Sequence, residues 1–231
     1  MSSDSIGSTY FNMLAARMEK RFSHGFQFLV NYSFSKMLER LSRLNASDLV
    51  LEKRIAPEDR TQRLVLSFNW ELPFGKGRWL GSGAGPVVNQ VIGGWTVNSV
   101  YTVQSGAPLG WGDVIYYGGD LHLDPRAVNG SFDVTRFNRN SQEQRASDVR
   151  TFPTMFGNLR QDGVNNLDFS VIKNFPIREA VKLQFRCELF NALNHAEFNA
   201  PSLSPTSSGF GLITSQANLA RTIQMALRMT W

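Results

Sequence analysis

Cysteine and histidine are scarce: the 231-residue sequence holds one cysteine, Cys187, and three histidines. A single cysteine excludes an internal disulfide framework and a multi-cysteine metal site. His24, His122 and His195 lie far apart, so no pair has the helix or strand spacing of a metal ligand set. Asp120, His122 and Asp124 could approach an ion, but a polar loop produces such clusters by chance, and we assign no metal and no cofactor. Neither Gly-x-Ser-x-Gly nor His-Glu-x-x-His occurs, which removes two common hydrolase signatures, and no enzyme is expected. The glycine-rich stretch from Gly81 to Pro86 is followed by no Lys-Ser/Thr pair. With a β-like Val87-Val88 behind it, we read a turn and not a phosphate loop. No apolar run reaches the roughly 18 residues of a transmembrane helix. The first ten residues have neither the basic nor the apolar region of a signal peptide, so the sequence as it stands is expected to carry no secretion address. The net charge is +5, yet basic residues occur singly or in pairs, such as Lys20-Arg21 and Lys53-Arg54, with acidic residues close by. That distribution makes no phosphate-tracking stripe and argues against a nucleic-acid partner.

What the sequence does have is alternation. In Arg221 to Trp231 the residues Ile223, Met225, Leu227, Met229 and Trp231 alternate with Thr222, Gln224, Ala226, Arg228 and Thr230. A period of two sends the sets to opposite faces of a strand, whereas a 3.6-residue period would scatter the first set around a helix. The same pattern recurs six times upstream. Tyr10 to Phe22 places Tyr10, Leu14, Ala16, Met18 and Phe22 opposite Arg17, Glu19 and Arg21, with Asn12 and Lys20 as flaws on the apolar face. Phe26 to Ser35 sets Phe26, Phe28, Val30, Tyr32 and Phe34 against Gln27, Asn31, Ser33 and Ser35. Arg63 to Leu72 sets Leu64, Leu66, Phe68, Trp70 and Leu72 against Arg63, Ser67, Asn69 and Glu71. Trp95 to Val103 follows, then Leu167 to Lys173, and then Val181 to Leu189, where Lys182, Gln184, Arg186 and Glu188 oppose Leu183, Phe185 and Cys187. Each apolar face needs either a second sheet or lipid to cover it. The mildly negative mean hydropathy of −0.23 does not decide between these, because half of each barrel strand is polar.

The connections decide. In order they run short (Ser23 to Gly25), long (Lys36 to Thr61), moderate and glycine-rich, long (Ser105 to Asn165), short (Pro176 to Glu179) and long (Asn191 to Asn218). Successive connections belong to opposite rims, so one rim collects short turns and the other long loops. That asymmetry belongs to outer-membrane barrels; a soluble sandwich has no reason to sort its loops. Within Lys36 to Thr61 the spacing of Met37, Leu38, Leu41 and Leu44 predicts a helical turn or two. The fold expected is all-β: an antiparallel transmembrane β-barrel segment of about seven meandering strands, incomplete as a barrel. Trp79, Trp95, Tyr101 and Trp111, near strand ends or loop starts, suit an aromatic girdle.

Several stretches, taken in order, resemble a known family: Glu71-Leu72-Pro73-Phe74-Gly75-Lys76-Gly77, then Gly93-Gly94-Trp95 with Tyr101-Thr102-Val103-Gln104-Ser105-Gly106. Asn166-Leu167-Asp168-Phe169-Ser170, Lys173-Asn174-Phe175-Pro176 and Gln184-Phe185-Arg186 with Glu188-Leu189-Phe190-Asn191-Ala192-Leu193-Asn194-His195 complete the set. They are similar to the C-terminal half of TonB-dependent outer-membrane receptors, nearest the Oar-like subgroup that also carries a carboxypeptidase-regulatory-like domain. The resemblance implies a barrel of about 22 strands with a plugged lumen, energised through TonB and placed in the cell outer membrane. Residues 1–231 are then the C-terminal part of such a barrel, with plug, energy-coupling segment and signal peptide absent and no transport by this chain alone. It also implies that Ile223, Met225, Leu227, Met229 and the terminal Trp231 form the signal read by the barrel-assembly machinery. Its polar face would line a wet lumen or grip a plug through cross-strand ion pairs of Arg17, Glu19, Arg21, Glu71, Lys182, Arg186 and Glu188, while outer-membrane lipid covers the other face. The runner-up is a small standalone outer-membrane barrel with a structural or adhesive role, which needs an eighth strand within Val114 to Val128.

Overall fold

The computed structural model describes residues 6–144, 149–177 and 181–231; Arg178 and Glu179, assigned to a turn by the sequence, lie outside these. The described strands are Ser8–Ser23 (β1), Phe26–Arg40 (β2), Arg54–Ile55 (β3), Gln62–Glu71 (β4), Trp95–Gln104 (β5), Pro108–Gly110 (β6), Met155–Arg160 (β7), Val164–Pro176 (β8), Lys182–Phe190 (β9) and Thr222–Thr230 (β10). One seven-residue helix, Pro86–Ile92 (α1), sits between β4 and β5.

Seven strands form an antiparallel meander in the order β1-β2-β4-β5-β8-β9-β10, each beside its neighbour in the chain's own succession of long strands. The nine residues of β10, at about 3.3 Å per residue, cover roughly the 30 Å of a bilayer's hydrocarbon layer. The sheet is open. β1 and β10 end the path, and among the described residues neither pairs on its outer side.

The pairing register carries the alternation from strand to strand. One row of directly opposed residues runs Phe26, Trp70, Val97, Val171, Cys187 and Met225 across six strands. The next apolar row runs Phe28, Phe68, Ser99, Phe169, Leu189 and Ile223. Between them lies a polar row of the opposite face: Gln27, Asn69, Asn98, Ser170, Glu188 and Gln224. A slip of one residue in any pair would break all three rows, so the rows are the physical statement of the register. Aromatic packing stiffens the apolar side, with Phe26 edge-on to Trp70 at 6.5 Å between ring centroids. Met225 and Leu227 remain 69% and 68% exposed, a continuous apolar face with no protein layer over it.

The β1–β2 connection is a two-residue hairpin in which both His24 (φ 55°) and Gly25 (φ 77°) are left-handed. Positive φ at both central positions matches the twist of the flanking strands. Histidine therefore serves here as a turn residue.

Four sequence readings are corrected. The helical turn expected from Met37, Leu38, Leu41 and Leu44 does not form: Met37 and Leu38 continue β2, and β3 pairs with Leu38 and Glu39 on the side where β4 pairs lower down. The turn read at Gly81 to Pro86 leads into α1, because Pro86 starts the helix, where a missing N–H costs nothing. Ser105 to Asn165 is not structureless, since β6 pairs with β7 and Val134–Arg136 makes a 3-10 turn. Val114 to Val128 contains no strand, only the isolated bridge of Tyr116 to Phe137.

The parity can be checked by substitution. In the complete barrel, Met225→Arg near the bilayer midplane should cost about 2 to 4 kcal/mol in folding titrations into lipid vesicles, and Gln224→Arg far less. Equal losses would overturn the assignment of faces.

Candidate functional site

Two surfaces can meet other molecules: the polar face of the sheet and the loop assembly on the long-loop rim. On the polar face Arg17 donates to Glu19 at 2.7 Å and Arg186 lies 3.4 Å from Glu188. Both pairs are i,i+2 neighbours within one strand. Glu71 binds Arg78 of the following turn at 2.9 Å. The expected cross-strand pairing is thus corrected: side chains two apart on one strand share a face and reach each other first. A bulge between Lys20 and Ser23 interrupts the register at Arg21, which still lines the groove beside Glu19 and Gln27. Lys182 opposes Pro176 and Thr230. A groove of about 440 Å³ runs past Glu19, Gln27, Ser67, Asn69 and Asn98. Its polar lining is a mixture of charges, amides and serine hydroxyls.

The long loops fold on one another. Leu109, Trp111, Leu121, Phe132, Phe137, Leu159 and Phe210 form a buried cluster drawn from two loops far apart in sequence. Trp111 stacks on Phe137 at 5.8 Å and meets Phe132 edge-on at 5.5 Å. At 2% exposure Trp111 is the centre of this core and not a girdle residue, whereas Trp79 is 84% exposed. Tyr101 donates from its hydroxyl to Asn165 at 2.9 Å.

Buried ions tie the loops together. The guanidinium of Arg150 donates to the carbonyls of Trp111, Gly112, Phe152 and Pro153 at 2.7 to 3.0 Å and stacks over the Phe152 ring. Arg54 donates to Glu39 at 2.8 Å and to Thr154, whose hydroxyl and amide both donate to Glu52. Asp59, 1% exposed, accepts from Arg160 at 2.5 Å, from the Met37 amide at 2.6 Å and from Thr61. Burial alone would raise the Asp59 carboxyl. The hydrogen bonds from Arg160, Met37 and Thr61 outweigh it and hold the group below its ordinary value.

The turn after β9 is a third assembly. Asn191 and Asn194 take positive φ (49° and 52°), which asparagine tolerates better than most residues. The Asn191 side chain accepts from the His195 amide and donates to the carbonyls of His195 and Leu219. Asp162 receives Arg126 at 2.8 Å, and His195 Nε2 lies 3.1 Å from the same guanidinium. His195 is thus engaged on the loop rim and His24 in a hairpin at the opposite rim. Asp124 accepts from the Arg126 amide, and Asp120, His122 and Asp124 do not converge into a three-ligand group among the described residues.

Sequence reasoning missed Asp59, Arg150 and Arg160. No local signal marks them, because Asp59 and Arg160 stand 101 residues apart. Two outcomes are expected. A carboxylate held below its free value stabilises fully above that value and loses the contribution as pH falls through the folded one. The amide-exchange protection factors at Met37 and Ala56, corrected for the intrinsic pH dependence of exchange, should therefore be steady from pH 7 down to pH 5 and fall only below about pH 3.8, the ordinary carboxylate value. Asp59→Asn should cost the closed loop about 3 kcal/mol at neutral pH by stranding Arg160, visible as faster proteolysis within 41–61.

No curated protein and no solved structure matches the chain. A family model does: residues 2–224 match the model described as outer membrane beta barrel domain. The match takes in the first six strands of the meander and the first three residues of β10. The chain belongs to the outer membrane β-barrel domain family.

Proposed function

We propose that the chain is the C-terminal wall segment of a TonB-dependent outer-membrane receptor of the Oar-like kind, without catalysis of its own. The observation that carries the reading is the open sheet: among the described residues β1 and β10 each leave one side unpaired. Backbone groups without partners in hydrocarbon cost several kcal/mol each, so both edges require partner strands. In this reading further strands of a larger barrel supply them. The polar rows behind Arg17, Glu19, Arg186 and Glu188 then meet a plug domain, TonB supplies the energy, and the ligand is met by the loop assembly. Ile223, Met225, Leu227, Met229 and Trp231 serve as the signal for the barrel-assembly machinery. The alternative, a small standalone outer-membrane barrel with a structural or adhesive role, would draw a further strand from elsewhere than residues 114–128, which supply an isolated bridge and part of a loop core.

Two experiments test this. The isolated chain, refolded in detergent, is expected to be oligomeric or aggregated and to restore no energy-dependent ligand uptake in a receptor-null outer membrane. A monodisperse, protease-resistant monomer with such uptake would sink the reading. Removal of Trp231 should lower the amount of heat-modifiable, membrane-inserted protein while synthesis is unchanged; equal insertion would count against the signal.

A further inference from the structure

The connection from Leu72 to Gly94 is longer than a hairpin needs, and it folds onto the apolar face. Lys173 shows where. It belongs to an apolar row, opposed by Trp95 on one side and Phe185 on the other, with Phe185 in turn opposed by Leu227. Yet it is only 2% exposed. Its ammonium donates to the carbonyls of Val91 and Gly93 at the C-terminal end of α1 and lies over the rings of Trp95 and Phe175 at 5.1 and 5.0 Å. The Trp95 indole N–H also donates to the Val91 carbonyl at 2.9 Å. Gly94 makes this approach possible: its φ is 72°, and a Cβ there would run into the Asn174 carbonyl.

Docked this way, α1 buries none of its residues. Val87, Val88 and Val91 point away from the protein at 80%, 53% and 66% exposure. Between the helix and the strand ends lies a groove of about 560 Å³ walled by Leu72, Phe74, Leu80, Val91, Ile92 and Trp95, with almost no polar atom in its lining. Leu72 and Trp95 continue the alternation of the sheet's apolar face, so the groove is the lower edge of that face and not a separate patch. Lys76 stands exposed beside it, its backbone amide fixed by the Asn89 side chain at 2.6 Å.

We propose that residues 72–94 form an interfacial foot: α1 lies in the boundary between headgroups and acyl chains of the leaflet at the short-turn rim, and the groove is filled by the acyl chain of a phospholipid whose phosphate meets Lys76. The occupant follows from continuity. The face above the groove is the lipid-facing wall of an outer-membrane barrel, so the leaflet that wets Met225 and Leu227 reaches the groove without crossing protein. The adjacent cation complements an anionic phosphate, and an amphipathic segment with an apolar outer side binds at this depth. Lys173 needs its carbonyl cap for the same reason, since an ammonium at this level would otherwise face hydrocarbon.

The inference rests on the barrel fold and not on the receptor reading. Its test places nitroxides by cysteine substitution at Leu80, Val87 and Val91, with Lys76→Cys and Met225→Cys as references, in the assembled barrel that contains the full chain, carrying Cys187→Ser. That barrel is inserted into vesicles of phosphatidylethanolamine and phosphatidylglycerol. Collisions with dissolved oxygen are compared with collisions with a water-soluble nickel chelate. At Leu80, Val87 and Val91 the oxygen-to-nickel ratio is expected to be severalfold above that at Lys76 and to approach that at Met225. Ratios equal to Lys76 with Met225 still in lipid would place the foot in water and overturn the proposal alone. Labels shielded from both reagents would mean a protein cover, a second copy included, and overturn it too. An aqueous Met225 would overturn the proposal together with the membrane placement of the sheet.

Discussion

Backbone hydrogen bonding in a medium without water is the constraint on which the rest depends. In hydrocarbon no solvent replaces a missing partner, so a β-chain crosses a bilayer only where every strand has a neighbour on both sides. Here that requirement is met for the five inner strands of the meander and, among the described residues, left unmet at β1 and β10. Pairing also fixes the register, and the register aligns side chains into rows that alternate in character. A residue such as Cys187 is apolar-facing because Val171 and Met225 are its direct opposites, whatever its own chemistry. The sheet therefore divides the protein into a wet side and a greasy side by geometry before any individual contact is counted.

The loops obey a different rule because they leave the hydrocarbon. Freed from the two-residue period, they build a core of their own around Trp111 and fasten it with buried charge. Buried ion pairs add little net stability against apolar replacements, but they punish a wrong arrangement severely. Asp59 illustrates this: its carboxylate reaches Arg160 in one loop, Met37 in a strand and Thr61 in its own loop. Only one arrangement of the three satisfies it. The loop rim is accordingly a specified surface.

How much was legible follows from the range of the interactions. Strand faces are written in a two-residue period, so Phe26 to Phe34 and Ile223 to Trp231 could be read directly. The sorting of short and long connections needed only their order. Readings failed where the deciding partner was distant. Met37 and Leu38 keep helical spacing with Leu41 and Leu44, but β3 and the Asp59 carboxylate, more than a dozen residues on, hold them extended. Val87-Val88 looks like a strand, yet Pro86 presets a helical φ and the 89 carbonyl receives the Gly93 amide to close the turn. Trp111 at a loop start looked like a girdle residue because its partners Phe132, Phe137 and Phe156 come 21 to 45 residues later. The bulge before Ser23 is likewise a matter of pairing that the alternation of Glu19 and Arg21 does not announce. Of the ion pairs on the polar face, the i,i+2 contacts of Arg17 with Glu19 and Arg186 with Glu188 were not visible, since i,i+2 contact against cross-strand contact depends on side-chain reach.

Lys173 joins these arguments. A lysine in an otherwise apolar row is an error by strand pattern alone, and removing it would make the row more lipid-compatible. Its retention makes sense only with the connection that precedes β5. The last carbonyls of a helix carry partial negative charge and lack intrahelical donors, while a lysine at the edge of hydrocarbon lacks acceptors. Each lack satisfies the other when α1 is laid against the sheet, and the glycine at 94 is what lets it lie there. The charge therefore positions the helix, the helix shields the charge, and the valines that face outward are left to whatever surrounds the wall. A turn of two residues, as at His24-Gly25, would have joined β4 to β5 equally well; the extra length goes into an apolar surface at the level where the bilayer ends.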